Sequence, residues 1–463
     1  MTTLPPDPIG RGGLADYGRR LRGGEITAEA ATRAYLDRIE ALDPRLGAYE
    51  CVAGERALAA ARALDALLAA GTDLGPLMGV PVAVKDLFAV EGMPTHAGSN
   101  LDLSDVIGPE GSFVKRLKRA GSIILGKTKT VEFALGTTGI SKPRGTPWNP
   151  WDASAHRVPG GSSSGSGVAT AAGMCAYAVG SDTGGSVRLP AAFCGIFGLK
   201  TTVGLWPTDG VFPLSRDLDS IGLMTGSAAD AAVVFAALTG QAVPAARPLN
   251  GLRLGRPAPY FYDKLEKQVE ICLDAALAAL AEAGVQVVPM EVPEAQEREK
   301  YFPVALPADL ITVLGRERFL EGRDAIDPIV AARGANGLEV RAPEYNQLRW
   351  RRLQLCESVT KRFRGLDGWV TPTIARAAMP VSDFDDLGEG MKLTLAITQA
   401  TQPVNLLGLC ATSTPIQTFG AEYPIGLQIV CPGGGDAEAL AIALAIEDLI
   451  GPPPRPDVSG FLG

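Results

Sequence analysis

The ten residues GVPVAVKDLF at 79–88 constrain the fold more than any other stretch of this chain. Val80, Val82 and Val84 recur with period two, so the segment reads as a buried strand that carries Lys85 at its end. Two helical patterns precede it. Residues 27–41 (TAEAATRAYLDRIEA) open with Thr27 as the N-cap and set Ala31, Tyr35, Leu36 and Ile39 on one face, and 53–70 form a second, Ala-rich helix. A helix over 112–121, a strand over 122–126 and a small-residue helix over about 166–178 follow. From 250 onward the strand GLRLG, the helix 267–284 and the strand VQVVP at 285–289 repeat the scheme, whereas 291–345 is polar and the least regular part. Helices alternating with strands predict an α/β fold.

At 463 residues the chain is long enough for one large α/β unit or for two domains sharing an interface. A net charge of −8 gives no electrostatic footprint for nucleic acid or for an anionic membrane. No apolar run approaches the ~20 residues that span a bilayer, and the N-terminal MTTLPPDPIGRGG lacks the apolar core of a secretory signal. Seven scattered cysteines, none spaced Cys-x-x-Cys, suggest neither a disulfide framework nor a zinc site. A cytoplasmic protein acting on a small molecule is expected. The chain has two histidines, His96 and His156, so its chemistry is expected to run without imidazole.

Three motifs compete along the chain and fail. GSIILGKT at 121–128 matches the phosphate-loop pattern, but Ile123, Ile124 and Leu125 are a buried-strand run, and Gly121 reads as the residue that ends the preceding helix. GSSSG at 161–165 matches a nucleophile elbow centred on Ser163, yet no histidine follows it to complete a triad. PGGSSSGSG at 159–167 has the composition of a flexible linker, but it runs directly into the apolar, helix-forming VATAAGMCAYAVG.

Extended to PGGSSSGSGVATAAGMCAYAVGSDTGGSVRLPAAFCG, the same segment resembles the amidase signature family. Gly160, Gly161, Ser162, Ser163, Gly165, Gly180, Asp182, Gly184, Ser186, Arg188 and Pro190 stand where that pattern expects them. GVPVAVKD (79–86), ILGKT (124–128), NPWD (149–152), LDSIG (218–222), VTPT (370–373) and YPIGLQIV (423–430) are similar to further family segments. The resemblance covers nearly the whole chain and is densest over 78–230. It implies a single large amidase domain over 1–463, with a mixed central β-sheet and helices on both faces. Within it, 78–230 is the signature core, about 291–400 the variable substrate-pocket region, and 451–463 a C-terminal tail.

Carried over by position, the resemblance implies a catalytic triad of Lys85, Ser162 and Ser186. Ser186 would be the nucleophile, Ser162, after a cis bond from Gly161, the proton relay, and Lys85 the base. A neutral amine can do this work if its pKa falls from ~10.4 to ~7–8, about 4 kcal/mol that burial at the end of an apolar strand can supply. Taken alone, Lys85 would read as a strand-end lysine paired with Asp86. The backbone N–H groups of Thr183, Gly184, Gly185 and Ser186 are similar to the family's oxyanion hole, and Asp182 and Arg188 are expected to form a structural ion pair. Ser163 is either a hydrogen-bonding member of the site or a turn residue. The family's serine loop more often reads Gly-Gly-Ser-Ser-Gly-Gly-Ser, so Ser164 and Gly167 depart from it in the half that leaves the triad untouched.

The implied reaction is hydrolysis of the C–N bond of a small carboxamide through an acyl-enzyme, with no metal or cofactor and no direct contact with nucleic acid or membrane. A homodimer is the assembly to test. Two rivals stand beside it. One is the glutamine-hydrolysing subunit of a tRNA-dependent amidotransferase, from which LKTTVGLWPTDGVFP at 199–213 departs at Thr201 and at 207–210. The other is a non-catalytic amidase-like scaffold, which would be expected to have lost a member of the triad. Trp206, Phe212, Tyr301, Phe302 and Tyr345 are candidates for an apolar pocket or for core.

Overall fold

The computed structural model describes residues 4–462. Among these, eleven strands form one mixed sheet: β1 Tyr49–Val52, β2 Pro81–Lys85, β3 Ile123–Thr128, β4 Tyr177–Asp182, β5 Phe197–Lys200, β6 Ser220–Thr225, β7 Arg253–Pro257, β8 Gln286–Met290, β9 Gly368–Pro372, β10 Cys410–Pro415 and β11 Gly426–Cys431. Their spatial order is β1-β3-β2-β4-β6-β5-β10-β11-β9-β7-β8. β2 runs parallel to both β3 and β4, and β4, β6, β5, β10, β11 and β9 then pair antiparallel in succession.

Every residue of β2, β3, β4, β5, β6, β9, β10 and β11 is buried. Because side chains alternate between the faces of a strand, this burial requires cover on both faces. The helix Ser164–Ala171 packs on β2, β3, β4 and β6, Ala228–Thr239 on β5 and β6, and Asp436–Ile450 on β10 and β11. Val82 and Val84 of β2 are fully enclosed, each worth about 1.5–3 kcal/mol of burial. The expected α/β architecture, a mixed sheet with helices on both faces, is the observed one. Thr27 is the N-cap it was expected to be: its hydroxyl accepts from Ala30 N at 3.0 Å and opens the helix Ala28–Leu46.

Three segments differ from expectation. The helix predicted over 166–178 spans Ser164–Ala171 and gives way at Gly173, φ +65°, so that Tyr177–Asp182 can slot between β2 and β6. Helix propensity of small residues yields there to the sheet ladder. The stretch 291–345, expected to be irregular, is largely helical, with helices Arg298–Leu314, Arg316–Glu321 and Pro328–Ala335 and the start of Ala342–Val359. Pro303 and Pro307 sit inside the first of these and disguise its pattern in the sequence. The tail after 451 packs back onto the body, where Phe461 is buried against Trp148.

No helix among the described residues is long and apolar enough to cross a membrane.

Candidate active site

Lys85 closes β2 and is fully buried. Its Nζ donates to Ser162 Oγ at 2.8 Å and to Ser181 Oγ at 2.9 Å. Asp86, its neighbour in sequence, is not its partner: that carboxylate pairs with Lys127 at 2.8 Å. The exchange follows from strand alternation, which sends Lys85 and Asp86 to opposite sides. Burial pushes the Lys85 amine down to about 7, against the weaker upward pull of Asp182 and Asp219. An amine there is neutral and basic near neutral pH.

The same pairing disposes of the phosphate-loop match. Lys127 lies within β3, held by Asp86, Pro94 O and Thr95 Oγ1, and Gly121 has φ +83° just past the helix Ser112–Arg119.

The serine-rich segment is tied down along its length. Gly160 N and Gly161 N donate to Thr138 O and Thr137 O, the Gly161–Ser162 peptide is cis, and Ser162 O accepts from Val131 N at 3.0 Å. Gly165 meets neighbouring backbone so closely that a Cβ on it would overlap Ala48 O. Ser163 is tied twice to β4 and the loop after it: its N donates to Ser186 O at 3.2 Å and its Oγ to Ser181 O at 3.3 Å. Ser163 is therefore a hydrogen-bonding member of this junction.

Ser186 is 3% exposed, and its Oγ makes no hydrogen bond among the described residues. The structure thus joins Lys85 to Ser162 directly, and joins Ser162 to Ser186 through the Ser163 backbone rather than through an Oγ–Oγ hydrogen bond. Such bonds often form only when substrate closes the site.

The loop before Ser186 is shaped by Asp182. Its carboxylate accepts from Gly185 N at 2.8 Å and Val187 N at 3.1 Å, and forks onto Arg188, whose Nη2 lies 2.9 Å from Oδ1. Burial raises the Asp182 carboxyl, but the adjacent Arg188 guanidinium and its hydrogen bonds overcome this and hold it well below the usual carboxylate range. Arg188 also donates to Gln428 Oε1, Thr401 O and Asn405 Oδ1. The expected structural ion pair is thus the hub of a buried network.

One expected donor is corrected by this network. Gly185 N–H is committed to Asp182, so it does not point into the site; the N–H groups of Thr183, Gly184 and Ser186 have no protein acceptor among the described residues. Backbone donors left without a protein acceptor are the kind of group that can bind a developing oxyanion. Beside them is a cavity of about 110 Å³ walled by Ala134, Ser181, Thr183, Phe212, Arg216 and Asp219.

Of the aromatic candidates, Phe212 lines this cavity and Phe302 lies against Gly184, while Trp206 is core packed on Phe113 and Phe235. His156 stacks on Trp148 with ring centroids 4.3 Å apart, and His96 lines a separate cavity with Pro94 and Asn100; neither side chain hydrogen-bonds to Lys85, Ser162 or Ser186. Ser181, Thr401, Asn405 and Gln428 are members of the site that sequence reasoning missed. The last three stand more than 200 residues from Arg188; Gln428 lies in the family-like YPIGLQIV without being singled out by it, and Thr401 and Asn405 lie in no quoted segment.

The Amidase family model matches residues 30–440. The chain is 40% identical over 444 residues to 2-amino-5-chloromuconic acid deaminase of Comamonas testosteroni, covering 95% of this chain and 96% of that one. It is 33% identical over 467 residues to the A subunit of the glutamyl-tRNA(Gln) amidotransferase of Geobacter metallireducens, with 92% and 95% covered. Among solved structures it is similar to the native peptide amidase of Stenotrophomonas maltophilia, with a TM-score of 0.84, 27% identity, and coverage of 98% and 100%. A second solved amidase gives a TM-score of 0.86 at 29% identity, covering 95% of this chain and 100% of that one. With the family model matching residues 30–440 of its 463, the chain belongs to the amidase family.

Proposed function

We propose that the protein hydrolyses the C–N bond of a small carboxamide through a covalent ester on Ser186. The observation that carries the reading is the buried Lys85–Ser162 hydrogen bond of 2.8 Å, formed by an amine that burial holds near neutrality. Ser186 Oγ attacks the carbonyl carbon, its proton passes to Ser162, and the Ser162 proton passes to Lys85. The carbonyl oxygen, now negative, is held by the N–H groups of Thr183, Gly184 and Ser186, each worth about 3 kcal/mol. Collapse breaks the C–N bond, and the leaving nitrogen takes the proton back from Lys85 through Ser162 as ammonia or an amine. Water then attacks the ester carbon and gives a proton to the same relay, the bond to Ser186 Oγ breaks, Ser186 takes that proton back, and the carboxylic acid leaves.

These side chains and N–H donors account for every proton and charge in the sequence. A cytoplasmic setting is part of the reading and is supported by seven unpaired cysteines, five of them buried.

The test is ammonia release from a panel of aliphatic, aromatic, ureido and amino-acid amides and glutamine, together with fluorophosphonate labelling. Wild type is expected to turn over at least one non-glutamine amide and to be labelled on Ser186, and Ser186→Ala to lose both while keeping its circular dichroism. Turnover of glutamine alone would favour an amidotransferase role like that named for the Geobacter relative. Full activity in Ser186→Ala would overturn the mechanism.

A further inference from the structure

Arg298 is a buried cation without a counter-ion among the described residues. It opens the helix Arg298–Leu314, is 6% exposed, and hydrogen-bonds only to neutral oxygens. Nε donates to the Tyr260 hydroxyl, and Nη1 to Leu395 O, Thr398 Oγ1 and Gln402 Oε1 at 3.4, 3.2 and 2.9 Å. No carboxylate lies within ion-pair distance of it among the described residues, and its Nη2 has no protein acceptor there. Among the described residues three other arginines are buried, and one of them, Arg352, likewise has no ion pair and leaves its Nε unpartnered, so what sets Arg298 apart is its place beside the oxyanion loop. Arg188 is neutralised by Asp182, and Arg38, which also lacks an ion pair, uses Nε, Nη1 and Nη2 on the carbonyls of Gly173, Pro5 and Ala172. A buried guanidinium with unused donors and no acid is costly unless something else supplies the charge.

Gln402 links this cation to the oxyanion loop. Since Arg298 can only donate, Gln402 Oε1 must face it, which turns Nε2 the other way. That Nε2 makes no hydrogen bond among the described residues. A Cβ on Gly184 would lie 3.3 Å from Gln402 Cγ and 3.8 Å from Nε2. Phe302, one turn along the helix from Arg298, brings its ring within 3.2 Å of the same point. The unused donor of Gln402 therefore stands beside Gly184 of the oxyanion loop, with the Arg298 guanidinium hydrogen-bonded to the other end of the same amide.

We propose that Arg298 and Gln402 form a carboxylate-binding subsite, so that the preferred substrates are amides bearing a carboxylate a few bonds from the scissile carbonyl. The inference rests on the amide-hydrolase reading for its substrate and on the buried unpaired charge for its chemistry. A carboxylate fits because its two oxygens match a planar guanidinium fork and a neighbouring amide, and because its charge completes a pair the protein leaves half made. A neutral amide of equal length would bury its alkyl end against Nη2 and leave that donor unpaired.

Succinamate and butyramide have the same length and differ in the terminal carboxylate. In wild type, kcat/KM is expected to favour succinamate by about tenfold or more, the scale of a hydrogen bond to a charged group. Gln402→Glu, nearly isosteric, supplies an internal anion to Arg298 without deleting it, and Arg298→Gln removes the cation; in both the ratio is expected to fall to about one. Binding is read separately by titrating succinate into Ser186→Ala protein by calorimetry, with heat expected there and lost when Gln402→Glu is added. Absence of a succinamate preference in wild type, or its survival in both variants, overturns the subsite. If no amide of the whole panel, these two included, is hydrolysed yet succinate binds to Ser186→Ala and not to Ser186→Ala with Arg298→Gln, the subsite stands and the hydrolase reading falls; the preference decides the subsite only where at least one of the two amides is turned over. Failure of succinate to bind at all overturns the subsite even if amides are cleaved.

Discussion

Lys85 Nζ lies 2.8 Å from Ser162 Oγ, and neither residue is exposed to solvent. The pair sets a pH dependence with a definite sign. The relay needs a neutral amine, and burial holds Lys85 at about 7. As pH falls below about 7 the amine protonates, so kcat/KM is expected to drop about tenfold per pH unit on the acid side. A pH–rate profile checks this, and an acid limb centred near the ordinary lysine value would contradict a buried base.

The same shift has a stability consequence. In the unfolded chain Lys85 titrates near 10.5, whereas in the fold it does so at about 7. Between those values the unfolded state holds a proton that the native state lacks, so this residue destabilises the fold progressively as pH falls, with its full cost below about 7. Lys85→Met is expected to be inactive yet to melt higher than wild type at pH 6, with the gain shrinking toward pH 10. Thermal melts of both proteins across that range measure it.

Asp182→Asn would leave the Arg188 guanidinium unpaired where both side chains are inaccessible to solvent. Loss of one partner of a buried pair costs about 3–5 kcal/mol, so the urea midpoint is expected to fall sharply. Replacing both, Asp182→Asn with Arg188→Met, is expected to cost less than the sum of the single changes, since the orphaned charge is gone.

Gly165→Ala tests whether the serine-rich stretch is a linker. The new Cβ would overlap Ala48 O and meet Lys129 N at 2.5 Å. Overpacking of this kind costs about 1–3 kcal/mol, visible in chemical denaturation, whereas a flexible linker would accept the methyl group unchanged.

Legibility in the sequence followed the range of the physical signal. Val80, Val82 and Val84 announced β2, and Thr27 announced its helix, because periodicity and capping act over a few residues. The helix Arg298–Leu314 was obscured by Pro303 and Pro307, which local rules count against a helix although this one accommodates both. Ser181 lies inside the signature segment without being singled out by it, Asn405 lies in no quoted segment, and they reach Lys85 and Arg188 only because β4 lies beside β2 and because the helix Gln402–Leu406 abuts the Asp182 loop.

The sequence by itself determined the strand–helix alternation, the family pattern, and the residue types available for chemistry in a chain with two histidines. Tertiary structure alone decided who partners whom: Asp86 goes to Lys127 and leaves Lys85 with no ion pair among the described residues, Arg188 reaches Asn405 and Gln428, and Arg298 is enclosed with no carboxylate at ion-pair distance among the described residues. The reason is that burial and pairing are set by neighbours across the sheet, tens to hundreds of residues apart in sequence. A lysine's basicity or an arginine's missing partner therefore exists only once the chain has closed around it.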